Sequence, residues 1–489
     1  MSTGEIPEPL GRVSGLEVPK HRSHSYRRTM FGQLSGKRVH VIGLGSWGTG
    51  RAVAQVLCRR GAEVTVSDVK PAEALAEEIG ALSGLPIVVL TGESAYRGIE
   101  HAELVVPSPG VPLTIPPLLR AREHGAKVVS EIEVAYWLAL CPIIAVTGTK
   151  GKTTTTTLIG ELLTDEGRRA IVGGNIGRPL IELADAAGRD DVLVAEVSSF
   201  QLEATERFRP KVSVLLNVSP DHLDRHEDLR AYQEAKAKVF ANQEADDTAV
   251  INRDDAGAWE MRERTRAQVW GYTVAGASPC PTEGYGDIVE GWLRVAGGNV
   301  CEVSALRLRG RHNQGNALAA LLAARAAGTG LEKAAETLAR FRGVEHRLEE
   351  VATVGGVLYV NDSQATTPDS AAAGLEAFEG RVALIAGGRP KVSDFSRLGE
   401  AVARRGASLI AIGEAAELIE AAARAAGAED VVRARDLPEA VRLASQKARP
   451  GEVVLMSPAC ASFDMFANMA ERGNTFKQLV LELASKERK

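Results

Sequence analysis

Short runs rich in Val and Ile alternate along this chain with longer Ala/Leu/Glu/Arg segments whose apolar positions recur at helical spacing. A continuous apolar run marks a strand buried on both faces, and its alternation with amphipathic helices is the pattern of parallel sheets wound with helices. The expected fold class is therefore α/β. Strands are predicted at residues 38–42, up to Asp68, at 87–90 and at 104–106. A fresh strand at 142–146 begins a second series, continued at 192–195, 212–216, 248–251 and 268–271. A third series follows at 357–360, 382–385, 409–412 and 453–456. Four segments are expected: an N-terminal extension over 1–35, then units over 36–132, 133–343 and 344–489.

A length of 489 residues exceeds what one hydrophobic core usually supports, in keeping with several units. Charged residues make up 25% and hydrophobic ones 45%, the composition of a globular chain and not of a disordered or membrane-embedded one. The formal net charge of -5 argues against a dedicated nucleic-acid binder while leaving room for a local basic pocket. The five cysteines are scattered singly without metal-like spacing and read as reduced thiols. The extension carries His21, Arg22, His24, Arg27 and Arg28 and no apolar stretch of the kind a secretory signal needs. A disordered tail, a cytoplasmic location, no membrane span and a monomer are the expectations.

Two glycine-rich loops change the picture. Gly43-Leu44-Gly45-Ser46-Trp47-Gly48 follows the first strand and opens a helix, and Asp68 ends the next strand. That arrangement lets backbone approach a diphosphate at a helix N-terminus, with the acid free to accept from a ribose or base. NAD(H), another nucleotide diphosphate, or simple tight helix packing would each satisfy it. The second loop, Thr147-Gly148-Thr149-Lys150-Gly151-Lys152-Thr153-Thr154, is more specific. Its N–H groups would cradle phosphates, Lys152 would neutralise them, and Thr153 would reach Mg²⁺. Val146 stands where the usual P-loop has its first glycine. Further on, Glu196 and His222 each follow an apolar strand and could project at the carboxyl edge of the sheet, as metal ligands or as a helix cap and a turn residue.

From residue 36 to 483 the chain resembles the Mur ligase family, the branch that adds D-glutamate. The resemblance rests on Gly173-Gly174-Asn175-Ile176-Gly177, the segment from Glu196 to Glu203, Asp221-His222-Leu223-Asp224-Arg225 and Gly310-Arg311-His312-Asn313-Gln314-Gly315-Asn316. It continues through His346-Arg347, Asp362-Ser363 and Ser457-Pro458-Ala459-Cys460-Ala461-Ser462-Phe463-Asp464. It implies a Rossmann-like UDP-binding domain, a central P-loop ATPase-type domain and a C-terminal Rossmann-like domain. The implied substrates are UDP-N-acetylmuramoyl-L-alanine, D-glutamate and ATP, with Mg²⁺.

By the same resemblance, Ser46, Trp47, Asp68, Ser108, Gly110 and Asn175 line the UDP-sugar site. Gly148, Thr149, Lys150, Gly151, Lys152, Thr153 and Thr154 bind ATP, and Asn316, Arg347 and Asp362 close over it. Thr153, Glu196, His222 and a carbamylated Lys236 organise metal, while Thr366, Lys391 and Ser462 hold glutamate. Lys152, His222, Lys236 and Arg347 are the catalytic set. One departure stands out: Gln364 replaces the lysine usual in the Asp-Ser-Lys-Ala-Thr-Asn motif, which removes a positive charge. The alternatives are ligation of L-glutamate or another amino acid, a folate-type polyglutamate ligase, an NAD-dependent oxidoreductase, and a silent nucleotide-binding regulator.

Overall fold

A computed structural model describes residues 34–44, 48–220, 225–276, 284–308, 310–378, 380–390 and 393–487. Most of the expected N-terminal extension, residues 1–33, lies outside them. The described strands form three sheets. In the first, β1 (Arg38–Ile42), β2 (Glu63–Asp68), β3 (Ile87–Thr91), β4 (Leu104–Pro107) and β5 (Lys127–Val128) run parallel in the order β3-β2-β1-β4-β5. The chain builds outward from β1 on one side, then crosses to β4 on the other. That reversal opens a crevice at the carboxyl ends of β1 and β4, where open α/β sheets bind ligands. Helix α1 (Thr49–Arg59) covers the sheet with Val53, Val56 and Leu57.

Helix α2 (Glu131–Leu138) joins the first sheet to the second, and all eight of its residues are buried. Of its two acids, Glu133 is fully satisfied by neighbouring N–H groups, whereas Glu131 is held through one oxygen only. Glu133 accepts from Glu206 N, Arg207 N and Phe208 N at 2.8–3.0 Å and from Trp137 Nε1 at 2.8 Å. Glu131 accepts from Ile181 N at 2.6 Å, and burial pushes its carboxyl up to about 7. An Arg60–Asp185 pair at 2.7 Å ties α1 to the second layer as well.

The second sheet comprises β6 (Ile143–Thr147), β7 (Ala170–Gly174), β8 (Val192–Glu196), β9 (Val212–Leu215), β10 (Thr248–Asn252), β11 (Gln268–Tyr272), β12 (Tyr285–Val289), β13 (Trp292–Val295) and β14 (Gly298–Glu302). Their order is β14-β13-β12-β11-β10-β9-β6-β8-β7, parallel as far as β12 and antiparallel for the last two. Because β6 lies between β8 and β9, whatever follows β6 is flanked by the ends of both. Helix α3 (Lys152–Asp165) follows β6, α4 (Ser199–Glu203) follows β8, and α5 (Leu229–Ala237) follows β9. Helix α6 (Arg311–Ala326) shares a core with α3 through Leu158, Ile159, Leu318 and Leu322.

The first two sheets belong to one compact unit and the third to another, divided between Phe341 and Arg342. The third sheet holds β15 (Glu349–Val354), β16 (Val357–Asn361), β17 (Val382–Gly387), β18 (Ser408–Ile412), β19 (Val431–Arg433) and β20 (Val453–Met456). Its order is β15-β16-β20-β17-β18-β19, parallel except for the β15/β16 hairpin. Helix α7 (Met469–Glu487) packs Phe476 and Val480 against it. The α/β expectation holds, and every strand read from the apolar runs is present to within two residues at its ends. Among the described residues no helix is long and apolar enough to cross a membrane.

Candidate functional site

Strand β6 is wholly buried and delivers the chain into a loop whose glycines cannot be replaced freely. Gly148 has φ +152°, and a Cβ there would stand 3.0 Å from the Leu216 side chain. Gly151 has φ +85°, and its Cβ would meet Asn316 Oδ1 at 2.4 Å, so α6 presses against the loop. Asn217, just past β9, latches the loop from the other side. Its Oδ1 accepts from Thr149 N at 3.0 Å and Lys150 N at 2.8 Å, while its Nδ2 donates to Lys150 O at 3.0 Å. The Thr149 hydroxyl donates to Ser219 O at 3.2 Å. Held this way, the loop feeds directly into the N-terminus of α3, a position that favours bound anions.

Two lysines converge on one carbonyl of this loop. Lys152 Nζ donates to Gly148 O at 3.0 Å and Thr149 O at 2.9 Å. Lys236 Nζ reaches Gly148 O at 2.8 Å from α5, is 1% exposed, and lies 4.3 Å from the centre of the Tyr232 ring. Beside them Glu196, at the end of β8, is buried. Its Oε2 accepts from the Thr153 hydroxyl at 2.7 Å and its Oε1 from Asn175 Nδ2 at 3.0 Å. The segment after β7 is pinned there, because Asn175 N also donates to Glu196 O at 2.9 Å. The structure thus gathers Lys152, Thr153, Asn175, Glu196, Lys236 and Asn316 around one loop. Thr154 lies on the same first turn of α3, and Lys150 is the exposed member.

Sequence reasoning assigned no role to Asn217 or His226. Asn217 had a signal, a polar residue directly after an apolar strand. His226 had none: it is buried, stacks on Phe200 with centroids 5.5 Å apart, and bonds Ser199 Oγ at 3.0 Å. Next to it, Arg225 donates to Gly110 O at 3.3 Å, Val111 O at 3.1 Å and Glu203 at 3.1 Å, bridging the loop after β4 to α4.

The loop after β1 is a second, separate feature. Gly43 has φ +88°, and Ser108 fills the space where its Cβ would go while donating from Oγ to Gly43 O at 2.7 Å. A Cβ on Gly50 would fall 1.8 Å from Gly43 O, so the closest helix approach is at Gly50 and not at the last glycine of the motif. Asp68 uses both oxygens on backbone: Oδ2 accepts from Leu44 N and Oδ1 from Lys70 N, each at 3.0 Å. It shapes the loop directly. Ser46 and Trp47 lie outside the described residues, as do His222 and Lys391.

Arg347, Asp362, Thr366 and Ser462 belong to the other compact unit. Asp362 directly follows β16, with Oδ2 accepting from Ser457 Oγ at 2.7 Å and Oδ1 from Leu348 N at 3.1 Å. Burial pushes its carboxyl up to about 6. Arg347 sits between His346 and Leu348, both held at positive φ, 64° and 43°. Thr366 closes the loop after β16, and Ser462 is buried in the loop after β20. The two loops are tied by Ala459 N donating to Ala365 O at 2.8 Å. Among the described residues no group of three His, Cys, Asp or Glu side chains is arranged for a metal ion. Oxygen donors do meet at Thr153 and Glu196, of the hard type Mg²⁺ takes.

Three family models match in order: the Mur ligase MurD-like N-terminal domain over residues 37–130, the Mur ligase middle domain over 146–324, and the Mur ligase glutamate ligase domain over 346–460. A UDP-N-acetylmuramoylalanine--D-glutamate ligase of Pelotomaculum thermopropionicum is 46% identical, covering 93% of this chain and 99% of its own length. The same-named protein of Acidobacterium capsulatum is 43% identical, covering 92% and 97%. Among solved structures, the UDP-N-acetylmuramate-alanine ligase of Thermotoga maritima aligns with a TM-score of 0.53 at 20% identity, over 91% of this chain and 99% of that one, a likeness of fold.

Proposed function

The chain belongs to the Mur ligase family, and from that premise we infer that it is an ADP-forming ligase joining D-glutamate to UDP-N-acetylmuramoyl-L-alanine in peptidoglycan precursor synthesis. The observation that carries this reading is the near full-length identity of 46% with a relative of that name. The chemistry suits the site. The alanyl carboxylate attacks the γ-phosphorus of ATP, forming an acyl phosphate and releasing ADP, so an anion must approach an anion. Lys152 and the N-terminus of α3 offset that repulsion and stabilise the charge on the transferring phosphoryl group. The amine of glutamate then attacks the acyl carbon, phosphate leaves, and the amine gives up a proton.

Thr153 and Glu196, with His222 and a carbamylated Lys236, would hold Mg²⁺, which when bound supplies further neutralisation of phosphate charge. Thr153 and Asn175 keep the Glu196 carboxylate oriented for that task. Arg347, Asp362 and Asn316 are read as further ATP contacts, and Thr366, Lys391 and Ser462 as glutamate contacts. Gln364, which stands in place of the usual lysine, donates from its amide to Glu345 O at 3.0 Å. The direct test is ADP release with UDP-N-acetylmuramoyl-L-alanine and each glutamate enantiomer in turn. D-glutamate is expected to support the faster reaction; a faster reaction with L-glutamate would replace the D-specific assignment with the L-specific one.

The loop after β1 is assigned to the UDP moiety. Asp68→Ala removes the acceptor for Leu44 N and Lys70 N and frees the loop, so UDP-substrate affinity should fall at least about tenfold, roughly 1.4 kcal/mol. ATP affinity should stay as it was. Calorimetric titration of each nucleotide separately checks this, and a fall in ATP affinity would show that the two loops do not divide the labour as assigned.

A further inference from the structure

Arg472, in the first turn of α7, is 1% exposed and among the largest fully buried side chains of the molecule. A buried guanidinium is tolerated only when its donors find partners. Here they go to the loops at the carboxyl ends of two neighbouring strands. Nε donates to Ser363 Oγ at 3.0 Å and Nη2 to Ser363 O at 3.0 Å, both in the loop after β16. Nη1 donates to Cys460 O at 3.1 Å in the loop after β20. The loop after β17 closes on the same group, because a Cβ on Gly388 would stand 3.2 Å from Nη1 and 2.2 Å from Ala461 O. Arg389 and Ala461 complete the frame with a pair of backbone hydrogen bonds, 2.9 and 3.0 Å.

Among the described residues no carboxylate pairs with this guanidinium, and Asp464 acts on it only at longer range. Burial lowers its pKa to about 10, which still leaves it charged at neutral pH. An ion pair is therefore not what retains it. Its planar fork matches three acceptors on two loops at once, a geometry no other side chain reproduces.

We propose that Arg472 is a positioning residue for the amino-acid substrate, fixing the spacing of the loops after β16, β17 and β20. Thr366 lies three residues beyond Ser363 and Ser462 two beyond Cys460, so the clamp sets where both hydroxyls stand. The proposal rests on the reading of these loops as the glutamate site.

Steady-state ligation by Arg472→Lys tests it, since lysine keeps the charge but cannot span three acceptors. The KM for D-glutamate should rise tenfold or more, while those for ATP and the UDP-linked substrate stay within twofold. Ser363→Ala removes only the Oγ partner and should move the glutamate KM the same way by a smaller factor; it decides the matter if the lysine variant does not fold. An unchanged glutamate KM in a folded Arg472→Lys, or in Ser363→Ala when the former is insoluble, overturns the proposal. So does an equal loss for all three substrates, which would mark a purely structural role. Thr366→Ala and Ser462→Ala run alongside: if neither alters the glutamate KM, the site reading has failed, whatever Arg472 does.

Discussion

Lys152→Ala should leave a protein that binds its UDP-linked substrate normally and no longer turns over. The ammonium sits over the loop after β6, bonded to Gly148 O and Thr149 O, at the first residue of α3. Phosphates cradled on that loop would bring the γ-phosphoryl group within its reach, and no neutral side chain can offset the approach of a second anion. Loss of one preorganised donor aimed at developing charge typically costs about 10²–10³ in rate. Here the loss includes a full positive charge, so kcat should fall by at least that factor. The loop after β1 is built on a different sheet, with Ser108 bonded to Gly43 O and Asp68 to Leu44 N, so UDP-substrate binding measured without ATP should survive. A tenfold loss in that binding, about 1.4 kcal/mol, would contradict the assignment of the two nucleotides to two loops.

The strands that were legible in the sequence are those buried on both faces, where apolar residues run without interruption. Ile143–Thr147 and Val453–Met456 are of that kind. The strands that escaped are built otherwise. Ala170–Gly174 lies at the sheet edge, is mostly half-exposed and ends in two glycines. Tyr285–Val289, Trp292–Val295 and Gly298–Glu302 are short strands joined by tight antiparallel turns at Glu290-Gly291 and Ala296-Gly297, all four residues at positive φ, and none of the three is a long apolar run. Glu349–Val354 has no fully buried residue and begins with two acids, so it carries no long apolar run.

Within the site, what was legible was local. The loop from Thr147 to Thr154 contains its own glycines, lysine and hydroxyls in contiguous sequence, and it folds as read. Of the side chains that come to it from elsewhere, Glu196 had a local signal, its place after an apolar strand, while Asn175, Lys236 and Asn316 were visible only through resemblance, because no spacing rule spans their distance from the loop. Asp68 carries a role the sequence did not suggest: the turn presents Leu44 N and Lys70 N, and the acid accepts from both.

Lys236 is the residue for which these considerations meet, and Lys236→Ala should lose activity that short-chain carboxylates at millimolar concentration partly restore. A lysine on a charged helical segment is ordinarily a solvated one. This one is buried against Tyr232 with its Nζ on Gly148 O, on a helix anchored by Asp228 capping Ala231 N at 2.7 Å. As an ammonium it would stand beside Lys152 on the same carbonyl and repel both that lysine and any divalent cation bound at Thr153 and Glu196, in surroundings that screen weakly. As a carbamate it would do the reverse. The ammonium first gives one proton to water, the neutral amine adds to dissolved CO₂ with formation of an N–C bond and opening of one C=O to a carboxylate, a second proton leaves to water, and a cation becomes an anion with two oxygen donors of the kind Mg²⁺ prefers. Alanine vacates that oxygen position, and a free carboxylate small enough to enter can fill it. Full activity of the variant without added carboxylate would remove Lys236 from the reaction, and loss without rescue would leave it a cation of the loop and not a carbamate.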